Sequence, residues 1–268
     1  MATRPPRANV LGVGISCVDI PGAVRTIAGW LSRGEHSYVC IRDAHGVVLC
    51  QHDEELRRVH NQAGMVTPDG MPLVWFCRAL GFREVSRVYG PDLMCAVLAD
   101  PALRGRRHFL LGGAPGVAAD LARELGRRFP GFSPVGIYAP PPEATADGLD
   151  QRALAALHES QAEIVWVGLG SPKQERWMAR HLPHTSVAAM IGVGAAFDFL
   201  SGRKPQAPGW MQRNGLEWLF RLLTEPRRLT GRYLKTIPAF LWLALLTATG
   251  LRSFPSPDGG PLPAPRKR

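Results

Sequence analysis

The feature that most constrains this 268-residue chain is a repeated unit, in which a short apolar run ends in glycine and leads into a helical stretch. The unit occurs at RRHFLLGG, AEIVWVGLG and TSVAAMIGVG, and another apolar run, SYVCI, precedes the helical stretch DEELRRVHNQAG. Strands that alternate with helices form parallel sheets covered by helices. The sequence therefore predicts an α/β fold with a Rossmann-like, mostly parallel sheet and helices on both faces.

The glycines at these strand ends, among them Gly112, Gly168 and Gly194, indicate where a ligand binds. In doubly wound sheets, ligands lie at the carboxyl ends of the strands, where glycine lets the backbone approach a phosphate and a helix N-terminus faces it. A single glycine can equally be a simple turn residue. Three of them in successive units favour a nucleotide pocket.

Two other nucleotide-binding classes fit the sequence poorly. The dinucleotide fingerprint GxGxxG is incomplete in GVGISC, GLGSPK and GVGAAF, each of which lacks the third glycine, and no GxxxxGK[ST] loop is present. These patterns argue against NAD-dependent dehydrogenases and P-loop NTPases, although they do not exclude them.

The net charge of +10 predicts an anionic partner, and most of the excess is local. Residues 203–235 contain eight basic and two acidic side chains, and the apolar run 237–251 follows. A membrane-spanning helix needs about 20 apolar residues, so this shorter run with Pro238 near its start favours contact with an anionic membrane surface. We therefore predict a catalytic core at residues 9–202, a helical membrane-associating appendage at 203–252, and disordered ends at 1–8 and 253–268.

The five cysteines have no metal-binding spacing, and several lie in apolar runs. Reduced, buried thiols are typical of cytosolic proteins, and the chain start lacks the pattern of a signal peptide. We therefore expect a cytoplasmic protein that is peripheral on the inner face of the plasma membrane.

Asp69 is the first candidate for chemistry, because TPDGMP holds it in a rigid turn against an apolar helix, with Thr67 beside it. A partly desolvated carboxylate has a raised pKa and suits a general base. A simple helix-capping Asp in a PDG turn is the structural alternative, and local sequence alone favours it.

Three further clusters carry polar residues near glycine and proline. RVYGPDLM, GLGSPKQERW and GVGAAFD supply expected substrate contacts, and the second is equally consistent with helix capping. The expected contacts are Arg87, Gly90, Asp92, Gln174, Glu175 and Asp198.

These motifs resemble, in content and order, those of the WecG/TagA/CpsF family, glycosyltransferase family 26. TPDGMPLVW, RVYGPDLM, VWVGLGSPKQERWM and GVGAAFDFLSGRKPQAPGWMQRNGLEWLFRLLTEPRRL carry the resemblance, which covers roughly residues 10–235. It implies inverting, metal-independent transfer from a UDP-sugar to an undecaprenyl-diphosphate-linked acceptor, with no cofactor. The sequence also lacks the Asp-x-Asp pair with which many glycosyltransferases hold a cation.

The resemblance assigns roles to individual residues. It implies that Asp69 is the base and that Gln174, Glu175 and Asp198 help to bind the nucleotide sugar. The appendage arginines, which match Arg221, Arg228 and less closely Arg232, are implied to reach the active site, where guanidinium groups can neutralise a leaving diphosphate.

One segment departs from the family pattern. Many members have Thr and Asn before the first helix, whereas residues 40–45 here read CIRDAH. Asp43 then takes the place of the Asn, and Arg42 or His45 makes a different contact, which leaves N-acetylmannosamine, its uronic acid and glucose all open as donors. A non-catalytic protein that binds nucleic acid or membrane is the alternative class, but no recognised nucleic-acid fold accompanies the basic segment, so we expect no nucleic-acid partner.

Overall fold

A computed structural model describes residues 3–141 and 148–257, without the side chains of Arg213 and Arg228. Within these residues, a β-hairpin precedes a six-stranded sheet of order β4-β3-β8-β7-β5-β6, and every pairing in that sheet is parallel. The strands are β1 Arg7–Val10, β2 Val13–Ser16, β3 Ser37–Arg42, β4 Met65–Pro68, β5 His108–Gly112, β6 Gly136–Tyr138, β7 Ile164–Gly168 and β8 Ala189–Gly192.

Helices follow these strands and cover both faces of the sheet, which confirms the predicted fold class. The helices are α1 Ile20–Arg33, α2 Ala44–Leu49, α3 Glu54–Gln62, α4 Met71–Ala79, α5 Gly90–Ala99, α6 Val117–Arg128, α7 Gln151–Ser160, α8 Lys173–His181, α9 Ala196–Leu200, α10 Gly209–Arg213, α11 Glu217–Thr224 and α12 Pro226–Ala248.

Two apolar clusters fill the space on either side of the sheet. Side chains alternate along each strand, so Tyr38 and Cys40 of β3 belong to one cluster while Val39 and Ile41 belong to the other. Helices α2, α3, α4, α7 and α8 contribute to the first cluster, and α1, α5, α6 and α9 to the second. Strands buried on both faces explain the continuous apolar runs in the sequence.

The carboxyl ends of β3, β4, β5, β7 and β8 meet along one edge of this sheet. At Gly112 the backbone has φ +108°, and a Cβ atom there would lie 2.7 Å from the carbonyl carbon of Gly168, so only glycine fits. The third glycine-containing motif, GVGISC from Gly12, lies instead in the β1–β2 hairpin, where it cannot form a strand-to-helix phosphate loop.

The appendage forms α10, α11 and α12, and α12 packs against α2 and α4 of the core. Phe240 is buried and makes an edge-on contact with Phe76 of α4, with ring centroids 6.2 Å apart. Pro238 lies inside α12, and no helix in the described residues is long and apolar enough to cross a membrane.

Both predicted disordered ends differ in part from the structure. Thr3 hydrogen-bonds Glu35, β1 begins at Arg7, and Phe254 is buried beside Gly12. Hydrogen bonds to distant parts of the chain and packing onto the hairpin thus hold residues whose composition alone offered little to bury. Residues 1, 2 and 258–268 of those ends lie outside the described part of the chain.

Candidate active site

Asp69 directly follows β4 and is held by backbone hydrogen bonds on both sides. Its N–H donates to the carbonyl of Arg42 (2.7 Å), and its carbonyl accepts from Arg87 Nε (2.6 Å). Gly70, not Asp69, is the N-cap of α4, and no side chain caps that helix. The structure therefore disfavours the capping alternative and leaves the carboxylate of Asp69 facing the site.

Arg87 joins that carboxylate to the appendage. Its Nη2 atom lies 3.3 Å from Asp69 Oδ1 and also contacts Glu217 Oε2 on α11. The guanidinium stacks over the ring of Tyr89, 4.1 Å from the centroid. Glu217 was not among the predicted residues, although it stands in the recognised run GLEWLFR, because its partner is 130 positions away in the chain.

The surroundings of Asp69 shift its proton affinity strongly. Burial raises the pKa of Asp69, Arg87 and Arg221 lower it, and Glu217 and Asp43 add to the rise, so that together these influences raise the pKa to about 7. A quarter of the side chain, 26%, remains accessible to solvent. A carboxylate with these properties accepts a proton near neutral pH, as a general base requires.

The glycine-ended strands form a second wall of the site. The N–H of Gly113 donates to the carbonyl of Gly168 (3.0 Å), which closes the β5 and β7 ends together. Gln174 of α8 lies against β8, with Oε1 3.3 Å from where a Cβ at Gly194 would be. The expected contacts at Gly112, Gly168, Gln174 and Gly194 are therefore neighbours in space.

A buried ion pair lies beneath this wall. Arg42 and Glu175, both almost without solvent contact, have Nη2 and Oε1 2.8 Å apart, and Arg42 Nη1 donates to Ser171 Oγ (2.7 Å). Gln174 Nε2 donates to the same Glu175 oxygen (3.0 Å). Arg42 thus connects the end of β3 to the loop before α8.

Asp43 and His45, which belong to the segment 40–45 that differs from the family pattern, contact the appendage. Asp43 caps α2 through Gly46 and pairs with Arg232 Nη2 of α12 (2.7 Å). Burial would raise the pKa of Asp43, but Arg232 and Arg42 outweigh it and lower that pKa. His45 Nδ1 lies 2.8 Å from Thr236 Oγ1, so two side chains predicted as substrate contacts also bind α12.

Other predicted residues lie elsewhere around the site. Gly90 is buried, and a Cβ there would lie 3.2 Å from the carbonyl oxygen of Val193, which makes it a packing glycine under β8. Asp92 is exposed in the first turn of α5, whereas Asp198 pairs with Lys204 (3.4 Å).

The appendage arginines lie on two different helices. Arg221 belongs to α11, 5.8 Å from the ring centroid of Phe199, while Arg232 belongs to α12, because Pro226 begins a new helix. The side chain of Arg228 lies outside the described residues.

Several buried polar atoms around the site have no hydrogen-bond partner among the residues that the structure describes. Buried polar groups are almost always satisfied, so these atoms are available to hydrogen-bond a polar ligand. The atoms are Thr67 Oγ1, Gln174 Oε1, Glu175 Oε2, Arg221 Nε and Arg232 Nε. In the same part of the chain, no group of three His, Cys, Asp or Glu side chains is arranged to hold a metal ion.

Comparison with known proteins identifies the family of this chain. Residues 8–253 match the model of the glycosyl transferase WecG/TagA/CpsF family. A curated relative from Bacillus spizizenii, the N-acetylglucosaminyldiphosphoundecaprenol N-acetyl-beta-D-mannosaminyltransferase, is 32% identical over 190 residues, which cover 70% of each chain. The chain is a glycosyltransferase and belongs to the WecG/TagA/CpsF family.

Proposed function

We propose that this enzyme transfers a sugar from a UDP-sugar to a polyprenyl-diphosphate-linked saccharide in cell-surface polysaccharide synthesis. The observation that carries the proposal is Asp69, a rigid carboxylate whose pKa is raised to about 7, at the strand ends where nucleotides bind in such sheets. The name of the B. spizizenii relative gives an N-acetylmannosaminyl group as the sugar transferred and a saccharide linked to diphosphoundecaprenol as the acceptor. It also makes UDP-N-acetylmannosamine the first donor to test.

The proposed reaction is a single displacement with inversion. Asp69 takes the proton of the acceptor hydroxyl, whose oxygen attacks the anomeric carbon from the side opposite to UDP. The new C–O bond forms as the bond to the UDP oxygen breaks, and UDP departs with that electron pair. The donor therefore lies with its anomeric carbon toward Asp69 and its diphosphate toward the appendage and the glycine-ended strands.

Cations of the protein neutralise the leaving diphosphate in this proposal. Arg221 and Arg232 bring guanidinium groups from α11 and α12, and both retain a buried, unpartnered Nε–H within the described structure. Guanidinium binds phosphate oxygens through paired hydrogen bonds, and the glycine backbone adds N–H donors. The sequence has no Asp-x-Asp pair, so we propose that transfer is metal-independent.

Membrane contact is part of the proposal. Leu234, Leu241 and Leu245 lie on one side of α12 and are 71%, 62% and 54% exposed, while Phe240 on another side packs onto the core. An apolar helix face next to basic residues enters the interface of an anionic membrane. Because UDP-sugars are cytoplasmic, we place the enzyme on the inner face of the plasma membrane.

To test the function, purified enzyme is incubated with a panel of UDP-sugars and a short-chain prenyl-diphosphate-linked N-acetylglucosamine. The measurement is the amount of UDP released. Asp69→Asn keeps the size of the side chain but removes its basicity, so kcat should fall about 10²- to 10⁴-fold while UDP-sugar affinity is kept. The native rate in Asp69→Asn would refute the assignment of the base. Activity lost in excess EDTA and restored by manganese or magnesium would refute metal independence.

A further inference from the structure

A cavity of about 550 Å³ lies beside Asp69, between the core and the appendage. Small-molecule sites have volumes of about 300 to 1,000 Å³, so it can hold a sugar. Its walls come from α4, the connection to α5, the first turn of α5, and α10. The lining residues are Met71, Arg87, Asp92, Gly209 and Gln212.

The cavity adjoins the proposed base. Met71 opens α4 two residues after Asp69, and Arg87 contacts both the carbonyl and the carboxylate of Asp69. A molecule that fills the cavity therefore lies within one side chain of the carboxylate. The features that suit a nucleotide, the glycine-ended strands and Gln174, do not line this cavity, which indicates a second ligand.

The lining has the chemistry that a pyranose needs. The carboxylate of Asp92 accepts hydrogen bonds from hydroxyl or amide groups, and Arg87 donates them. Gln212 is held in place because its Nε2 donates to the carbonyl of Ala207 (2.7 Å). Met71 adds an apolar surface for the face of a sugar ring.

The appendage closes one side of the cavity at close range. Gly215, just after α10, has φ +70°, and a Cβ there would lie 3.0 Å from Met71 Cγ. Glycine at this position therefore lets α10 approach α4. Trp75 on α4 and Trp210 on α10 are more than half exposed, so two of the helices that line the cavity also carry exposed aromatic side chains.

We propose that this cavity binds the saccharide end of the lipid-linked acceptor, with Asp92 and Gln212 hydrogen-bonding that saccharide and its reacting hydroxyl turned toward Asp69. The inference rests on the proposed function, since it assigns the second substrate of the same site. It also assigns α10 a role in acceptor binding, which is separate from the proposed membrane contact of the appendage.

Steady-state kinetics on the full-length enzyme test the assignment, with UDP-N-acetylmannosamine as donor and short-chain prenyl-diphosphate-N-acetylglucosamine as acceptor. Asp92→Asn replaces a charge-assisted hydrogen bond by a weaker neutral one, and Gln212→Ala removes a hydrogen bond. Each should raise the acceptor KM about fivefold or more, with the donor KM unchanged within about twofold. Asp100→Asn, the same substitution at the other end of α5, is the matched control and should change neither constant.

A binding measurement separates this inference from the proposed reaction. Saturation-transfer NMR detects protons of the acceptor sugar when that sugar is bound to UDP-saturated protein. We expect these signals in the wild type and in Asp100→Asn, and no signals in Gln212→Trp, whose larger side chain fills the cavity. Sugar signals without turnover in the wild type would refute the proposed reaction and leave the cavity assignment standing. A rise of the donor KM in proportion to the acceptor KM would instead assign the cavity to the donor, and unchanged KM values with unchanged signals would refute the proposal.

Discussion

Glu217→Gln should shift the acid limb of the pH–rate profile to lower pH. Glu217 and Asp69 both contact Nη2 of Arg87, so their carboxylates are close enough for strong repulsion. Removing the charge of Glu217 lowers the pKa of Asp69, because Glu217 is one of the groups that raise it. In this variant, Asp69 is the one carboxylate of this pair that remains to contact Arg87. The contact with the guanidinium also lowers the pKa of Asp69.

The size of the shift follows from that geometry. Two unit charges ~6 Å apart interact by about 3 kcal/mol at an effective dielectric constant of ~20, which corresponds to about two pKa units. Solvent at the partly exposed Asp69 screens part of this, so we expect about one unit. A base with a pKa of about 7 is about 3% ionised at pH 5.5, and a base with a pKa of about 6 is about 24% ionised.

The assay measures the release of UDP at saturating concentrations of both substrates between pH 5 and 8.5, and it gives kcat at each pH. Relative to its own plateau, Glu217→Gln should keep roughly eight times more activity at pH 5.5 than the wild type, although its plateau falls because a weaker base accepts the proton less readily. Glu225→Gln is the matched control, because Glu225 pairs with Lys204 (3.5 Å) and does not contact Arg87 in the described structure. An acid limb that stays in place, or that moves to higher pH, contradicts the reasoning.

Two further variants test the buried ion pair and the exposed face of α12. Glu175→Gln leaves Arg42 buried without its partner and should lower the free energy of unfolding by about 3 to 5 kcal/mol in urea titrations, whereas Glu124→Gln at an exposed helix pair should change it little. Serine at three exposed apolar positions of α12 should weaken binding to anionic vesicles at least a hundredfold in flotation assays, since each leucine contributes about 1.5 kcal/mol or more. The same variant should keep its kcat on a water-soluble acceptor, and unchanged flotation would refute the membrane face; the positions are Leu234, Leu241 and Leu245.

The parts of the fold that the sequence predicted are those with strong local signals. The runs that became β5, β7 and β8 are apolar apart from His108 at the start of β5, because both faces of the sheet are covered, and each reaches glycine where the backbone must turn tightly. Strand β6 has only three residues and is partly exposed, so no comparable signal marks it. The strand order could not be predicted, since it depends on pairings between distant segments.

In the site too, features with a local sequence signal could be predicted, whereas contacts between distant segments could not. The Pro and Gly beside Asp69 predicted its rigid turn, and burial in that turn raises its pKa as expected. The partnership of Glu217 with Arg87 had no local signal, because it exists only once α11 docks on the core. The charge pattern of the appendage was visible, but the break at Pro226 placed Arg221 and Arg232 on different helices.

The ion pairs at the strand ends explain how the site that we propose for a diphosphate stays folded without one. Buried charges are costly unless they are paired, and here Arg232 is paired with Asp43 and Arg87 with Asp69 and Glu217. A diphosphate that binds Arg232 competes with Asp43 for the same guanidinium. In the proposed reaction, donor binding would therefore loosen the contact between Asp43 and Arg232 of α12. Asp43, whose charge raises the pKa of Asp69, would then act more strongly on the proposed base, because its own counter-charge would face the diphosphate. Under the proposed function, the carboxylate of Asp43 would therefore link donor binding, the strength of the base and the docking of α12.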